Sequence, residues 1–215
     1  RELPMIHVMQ VPKKNHVYPL MFRQLINLFY NSTQTNEDIK RISMYKSNVK
    51  RKKLKNIITN IDDYLISLSL KIKYYINEPK IIARMAQLTQ KTNQFNLTTK
   101  RYSEKDIEYF IKDTNYFVLA IEVNDKFGEN GIVGLTIIKK EKDIAEIDTF
   151  LMSCRVLGRK IEYKFMDIII QNLLESGIKI IFAEYHETFK NEQVKDLYDF
   201  LGFKKVKKEE KFIRY

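Results

Sequence analysis

The chain has 215 residues, 44% hydrophobic and 30% charged, with a net charge of +11. This length holds one good-sized domain with an appendage or two small ones, and the composition is globular rather than disordered or fibrous. A single cysteine, Cys154, excludes an internal disulfide and fits a reducing cytoplasm, and no run approaches the roughly 18 apolar residues of a membrane span.

Residue 1 is Arg, which fits a piece of a longer protein, and no signal peptide is visible. Residues 1–18 contain Pro4 and Pro12 and read as an extended linker. Pro19 suits the first turn of a helix carrying Leu20, Met21, Leu25, Leu28 and Phe29 at helical spacing. Thr35, followed by Glu37 and Asp38, marks a second helix start, with Ile39, Ile42, Tyr45 and Val49 as its apolar stripe. The basic run K-S-N-V-K-R-K-K-L-K, Lys46 to Lys55, falls on this helix and reads as a solvated face. Only Tyr45 is nearby, so the run lacks the interleaved aromatics of a nucleic-acid surface, and an acidic protein is the better partner. A short amphipathic piece around Ile61, Tyr64, Leu65 and Leu68 completes a helical region over residues 1–66.

From residue 67 the pattern changes. Leu70, Ile72, Tyr74 and Ile76 alternate as a strand, and Ile81, Met85 and Leu88 return to helical spacing. Ser103 with Asp106 opens another helix. Phe117 to Val123 and Ile132 to Ile138 predict two strands around N-D-K-F-G-E-N-G, a turn-rich connection that lacks the acidic spacing of a calcium loop. A third strand runs near Ile144 to Met152. An amphipathic helix follows, with Ile161, Phe165, Ile169 and Leu173 in one row, and Gly177 stops it. Ile178 to Ala183 predicts a buried strand, Glu192 to Leu201 a last helix, and the final residues one or two short strands. A meander followed by strand–helix–strand implies an α/β fold with a mixed sheet and helices on both faces.

Cys154 sits where the third meander strand gives way to the long helix. Backbone N–H groups at such a junction favour a thiolate and hold phosphate or an oxyanion, although a lone cysteine also serves as a small buried hydrophobe. Asp148, six positions earlier, falls on the same side of a regular strand and could orient a base or substrate hydroxyls, or simply pair with an arginine. Asn93, Gln94, Asn96, Thr98 and Thr99 form an uncharged polar cluster suited to a hydroxylated acyl group or to helix capping. His186 is a base by its chemistry. No metal site is expected.

R-V-L-G-R-K, Arg155 to Lys160, resembles the Gln/Arg-x-x-Gly-x-Gly/Ala signature of the GNAT acyltransferase superfamily. N-E-Q-V-K-D-L-Y-D-F-L-G-F, Asn191 to Phe203, resembles the segment in which a GNAT helix carries a Leu-Tyr pair and ends in Gly-Phe. The likeness implies a GNAT-like domain over residues 67–215. In it, the backbone of Arg155, Val156, Leu157, Gly158 and Arg159, joined by Asn191, would hold the phosphate or pantetheine of an acyl carrier. Tyr198 would be the acid that protonates a leaving thiolate, with packing beneath the sheet as its other reading. Lys160 stands where the signature has Gly or Ala, and its bulk obstructs a pyrophosphate more than a single phosphodiester.

A narrower likeness covers most of the chain. T-N-Q-F-N-L-T-T-K-R-Y (Thr92 to Tyr102), F-G-E-N-G-I-V-G (Phe127 to Gly134), A-E-I-D-T-F-L-M-S-C-R-V-L-G-R (Ala145 to Arg159) and K-N-E-Q-V-K-D-L-Y (Lys190 to Tyr198) resemble the C-terminal half of FkbH-like proteins, and I-S-M-Y-K-S-N is similar to their linking segment. That family pairs a phosphatase-like domain of the haloacid dehalogenase superfamily with a GNAT-like domain and loads a glyceryl unit onto an acyl carrier protein for polyketide, tetronate or methoxymalonyl pathways. The resemblance implies Cys154 as acyl-accepting nucleophile, with Arg155 or Arg159 favouring its thiolate. It implies the phosphopantetheine of a carrier protein, or coenzyme A, as cofactor, and a carrier protein and a phosphatase-like domain as partners. The Asp-x-Asp-x-Thr/Val motif of the phosphatase half is absent from this sequence. His186 stands where the family has an apolar residue, and Glu187 where it has Pro.

Overall fold

The computed structural model describes residues 10–29 and 41–215. The chain divides into two units, residues 1–34 and 35–215. In the first, helix α1 spans Tyr18–Phe29, with Pro19 in its first turn where no intrahelical N–H is needed. The expected helix start at Thr35, Glu37, Asp38 and Ile39 lies outside the described residues.

The second unit begins with α2 (Arg41–Ile57) and α3 (Ile61–Leu68). Asn60 caps α3 by accepting the N–H groups of Asp62 and Asp63, and Ser69 ends it in the left-handed conformation. Then come β1 (Lys71–Ile76), α4 (Ile82–Lys91) and α5 (Glu104–Lys112), the last opened by a reciprocal Ser103–Asp106 capping box. The meander is β2 (Tyr116–Asp125), β3 (Gly128–Glu141) and β4 (Ile144–Met152). It is followed by α6 (Ile161–Glu175), β5 (Ile180–His186), α7 (Leu197–Phe200), β6 (Lys207–Lys208) and β7 (Phe212–Arg214).

Among the described residues the strands form one sheet in the order β1-β2-β3-β4-β5-β7-β6. Only β4 and β5 run parallel, as a connection through α6 requires. Alternation along β2 separates two apolar layers. Leu119 and Ile121 face Phe165, Met166, Ile169 and Leu173 of α6, while Val118 and Ala120 face Met85 and Leu88 of α4 and Ile107 of α5. The expected mixed sheet with helices on both faces is therefore present.

Three local expectations change. The stripe on α2 is not the expected one: Tyr45 and Val49 are exposed, whereas Met44 and Arg51 are buried. Residues 192–201 are not one helix but a 3-10 turn, Glu192–Val194, and the single turn of α7. Burial of Val194, Leu197 and Tyr198 holds this short piece, which is below the length at which propensity sustains a helix. The hairpin connection is only Lys126 and Phe127, because the Asp125 carboxylate accepts the Phe127 N–H and Gly128 takes a φ of +130° open to glycine.

A fourth feature decides side-chain direction near the site. Opposite β3, residue Ile137 pairs with Thr149 but Ile138 pairs with Ile147, leaving Asp148 as an extra residue in β4. The bulge reverses the alternation. Ala145 and Ile147 face the α6 layer before it, and Phe150 and Met152 face it afterwards.

Gly134 on β3 lets α6 approach the sheet. A Cβ there would lie 2.6 Å from Ile121 Cγ1 and 2.9 Å from Phe165 Cε1. Gly134→Ala is expected to lower unfolding stability by about 1–3 kcal/mol through overpacking, read as a reduced denaturant midpoint.

Candidate active site

β4 and β5 pair only over Ile144 to Ile147 with Ile180 to Ala183, and then part. The gap is filled from within by residues 95–97. Leu97 N–H donates to the Phe150 carbonyl (3.1 Å), Met152 N–H to the Phe95 carbonyl (2.9 Å), and His186 N–H to the Leu97 carbonyl (2.8 Å). Asn191 locks this insert. It is fully buried, its Nδ2 donates to the carbonyls of Asn96 and His186 at 2.9 Å each, and its Oδ1 accepts from the N–H and hydroxyl of Thr188 and the Tyr185 hydroxyl. Both polar ends are saturated, so internal hydrogen bonds close the junction between β4, the insert and β5.

At the C-terminal end of β4 the chain turns through a 3-10 segment, Cys154–Val156, rather than entering α6 directly. The first amides after the cysteine are turned back on the turn itself: Arg155 N–H reaches the Ser153 hydroxyl, Val156 N–H the Ser153 carbonyl and Leu157 N–H the Cys154 carbonyl. Gly158 then takes a φ of +72°, and Lys160, in the left-handed conformation, is the residue before α6. The N–H groups of Gly158 and Arg159 have no acceptor among the described residues. Cys154 itself is exposed.

A buried ion cluster fixes this turn against the rest of the unit. Asp125, its side chain wholly buried, takes a forked pair of hydrogen bonds from Arg51 of α2 (2.7 and 2.8 Å). Its Oδ2 also lies 3.3 Å from Arg159 of the signature segment, whose other nitrogen donates to the Arg155 carbonyl (2.7 Å). Burial opposes ionisation of Asp125. The Arg51 and Phe127 hydrogen bonds and the charges of Arg51 and Arg159 outweigh it and hold the carboxyl below its usual range. Ser47 of α2 donates to the Phe127 carbonyl, and Lys160 pairs with Asp62 of α3 at the surface. Helices α2, through Asp125, and α3 are thus both attached to the end of the Cys154 turn that leads into α6.

Between these elements lies a cleft of about 1120 Å³. One wall is α2, with Met44, Asn48, Arg51 and Lys55 one helical turn apart, and Lys52 beside them. A second wall is α4 and the residues after it, including Arg84, Lys91, Asn93 and Gln94. The floor is Ser153, Cys154, Arg155, Leu157, Gly158 and Arg159, and Phe189 and Lys190 complete the rim. Among the described residues the charged lining is lysine and arginine, without a carboxylate. The volume exceeds that of a small-metabolite pocket, and the field within favours an extended anion. Among the described residues no three or more His, Cys, Asp or Glu side chains group as a metal site.

The structure brings together Cys154, Arg155, Leu157, Gly158, Arg159, Asn93 and Gln94 on this cleft. It puts the other expected site residues elsewhere. Asp148, displaced by the bulge, pairs with Lys100 (2.5 Å) and accepts the Tyr102 hydroxyl (2.7 Å). Asn96 and Thr98 are interior, Asn96 accepting the Thr99 N–H and Thr98 donating to the Asp148 carbonyl, and Thr99 takes a φ of +56°. His186 points its ring to Glu184 and Phe212, off the cleft wall. Tyr198 is fully buried against Phe203 and Tyr215, and desolvation pushes its hydroxyl far above the usual tyrosine range, so an acid role at the cleft has no geometric basis. Val156 packs into the core, and Asn191 is spent on the insert. The arginines expected to attend the thiol are engaged otherwise: Arg159 with Asp125, and Arg155 with Ser153 and Met44.

Sequence reasoning missed the α2 wall. The signal was the one arginine in a lysine run, since a forked guanidinium suits a buried carboxylate where lysine does not.

No family model matches the chain, and no curated protein matches it in sequence. Solved structures do match in fold. The ribosomal-protein-S18-alanine N-acetyltransferase of Escherichia coli is 14% identical, covering 67% of this chain and 90% of that one, with a TM-score of 0.50. Ard1 of Thermoplasma volcanium is 15% identical over 69% of this chain and 97% of that one (TM-score 0.51). The GNAT domain of S. lividans PAT is 16% identical over 66% and 88% (TM-score 0.52). At such identities the likeness shows the fold, and the fold is that of the GNAT acetyltransferases.

Arg51→Ala leaves Asp125 buried with the Phe127 N–H and, 3.3 Å away, Arg159 as its one remaining cationic partner, and is expected to cost about 3–5 kcal/mol in denaturant unfolding. Because the folded-state pKa of Asp125 is depressed, its ionic contribution is present above the unfolded carboxyl value of about 3.9 and is lost as pH falls through the lower folded value. Asp125→Asn is expected to flatten that part of the stability–pH curve, measured by urea unfolding from pH 5 downward. Asn191→Ala is expected to cost about 2–3 kcal/mol and to speed amide exchange at Leu97 and His186, where hydrogen-exchange spectrometry reads it.

Proposed function

We propose that this chain is an acyltransferase that moves a glyceryl-type, three-carbon acyl group through a thioester on Cys154 to the phosphopantetheine thiol of an acyl carrier protein. The observation that carries the reading is an exposed thiol in the floor of a roomy cleft whose charged lining, among the described residues, is cationic. A phosphopantetheine arm is anionic at one end and a thiol at the other, and the cleft is matched to both. The net charge of +11 favours encounter with an acidic carrier.

The chemistry is two acyl exchanges. The Cys154 thiolate attacks the carbonyl carbon of an activated acyl donor; a C–S bond forms and the donor's leaving group departs with its electron pair. The pantetheine thiolate, its proton released to solvent, then attacks the Cys154 thioester. A new C–S bond forms as the bond to Cys154 breaks, and the Cys154 thiolate is regenerated. The N–H groups of Gly158 and Arg159 are available to a phosphate oxygen of the arm, and the Asn93 and Gln94 amides to acyl hydroxyls. A phosphatase-like domain, fused or separate, would supply the dephosphorylated acyl group.

One observation favours a second reading, coenzyme A-dependent N-acetyl transfer: the structural neighbours include alanine N-acetyltransferases. Against it, the cleft lining among the described residues offers neither histidine nor carboxylate to take a proton from an amine.

Intact mass spectrometry after incubation with acyl donor is expected to show one acyl adduct on the wild type, none on Cys154→Ala, and discharge of the adduct by a phosphopantetheinylated carrier protein. Carrier binding retained by Cys154→Ala with transfer lost fits the enzyme. Undiminished turnover by Cys154→Ala removes the nucleophile and leaves direct transfer from coenzyme A.

A further inference from the structure

Helix α2 lies outside the strand–helix alternation of the sheet, yet it forms one wall of the cleft. Arg51, clamped in its buried fork by Asp125, sets the rotation of the helix. Lys55 follows one turn later on the same face, and Lys52 stands beside it. Lys55 is carried to the mouth of the signature turn: its Nζ lies 3.9 Å from the point where a side chain on Gly158 would begin. The absence of a side chain there, together with the φ of +72°, brings the Gly158 backbone up to the ammonium. Among the described residues Lys52 and Lys55 make no ion pair, and no acidic side chain lines the cleft beside them. Like charges gathered against unpartnered N–H groups are mutually repulsive unless an anion lies between them.

We propose that Lys52 and Lys55 of α2 form, with the Gly158 and Arg159 N–H groups, a two-sided clamp for the phosphodiester of a pantetheine-bearing ligand. This rests on the reading of the cleft as a pantetheine site, but not on Cys154 being acylated. The chemistry is shared by free coenzyme A and by a carrier-bound arm. Lys160 and Asp62 form an ion pair at the outer end of the signature turn.

The test uses the full chain under reducing conditions, with 4′-phosphopantetheine, pantetheine, coenzyme A and a phosphopantetheinylated carrier protein as calorimetric probes. Lys55→Ala and Lys52→Ala are each expected to weaken 4′-phosphopantetheine binding by about tenfold. Pantetheine, which lacks the phosphate, is expected to bind weakly and equally to all forms. Lys53→Ala removes the same charge from an exposed position off the cleft and is expected to change nothing. The salt dependence of phosphopantetheine binding is expected to fall in the Lys52 and Lys55 variants alone. A loss seen for coenzyme A but not the carrier, or the reverse, supports the clamp and identifies its source. If Lys53→Ala weakens binding as much as Lys55→Ala, or if pantetheine binds as tightly as 4′-phosphopantetheine, the clamp is wrong. A Cys154 that never acylates removes the proposed reaction and leaves these binding differences standing.

Discussion

Two arginines converge on one buried carboxylate, and the cleft exists because of it. Arg51 belongs to a helix that precedes the sheet, Asp125 to the tight turn between β2 and β3, and Arg159 to the turn that carries Cys154. A charge withdrawn from water in this way is stable only with its partners in place, so the three elements hold or loosen together. The cost of burying the ions is offset by fork geometry and by the Phe127 N–H at the same carboxylate. The result is a helix standing across from the Cys154 turn at a fixed rotation.

The second constraint is the parting of β4 from β5. Two parallel strands that diverge leave unpaired backbone groups, and here residues 95–97 satisfy them. Asn191 then ties the insert to the end of β5. The insert fills the gap between the strands with its own hydrogen bonds, and the cleft floor begins at Ser153, beyond the end of β4. Asn96 and Thr98 serve the backbone, while Asn93 and Gln94, just before the insert, reach the cleft.

Electrostatics then bears on the cleft. Asp125 is paired with Arg51, Asp62 with Lys160 and Asp148 with Lys100, and the charged side chains described on the cleft lining are lysines and arginines. A surplus of positive charge concentrated in a concave wall raises the local concentration of anions, and the floor of that wall carries the one thiol in the chain. The proposed acyl transfer and the proposed phosphate clamp both draw on these two facts.

The order of strands and helices was legible because apolar spacing differs between a period of two and one of 3.6, and because caps such as Ser103–Asp106 and stops such as Gly177 are local. The place of Cys154 after β4 and the glycine turn beyond it were legible for the same reason, whereas the exposure of the thiol was decided by the fold. Side-chain direction near the site was not. One extra residue at Asp148 reversed the alternation of β4 and moved that carboxylate to Lys100, which no counting along a regular strand could anticipate. Tyr198, Asn191 and His186 lie near Cys154 in motif logic but not on its cleft, since what a side chain touches is set by layers that meet across the sheet. Arg51 and Asp125 are 74 residues apart, and their meeting made an apparently solvated lysine helix one wall of the cleft. Local patterning determined the elements; long-range burial of charge decided which of their faces became the site.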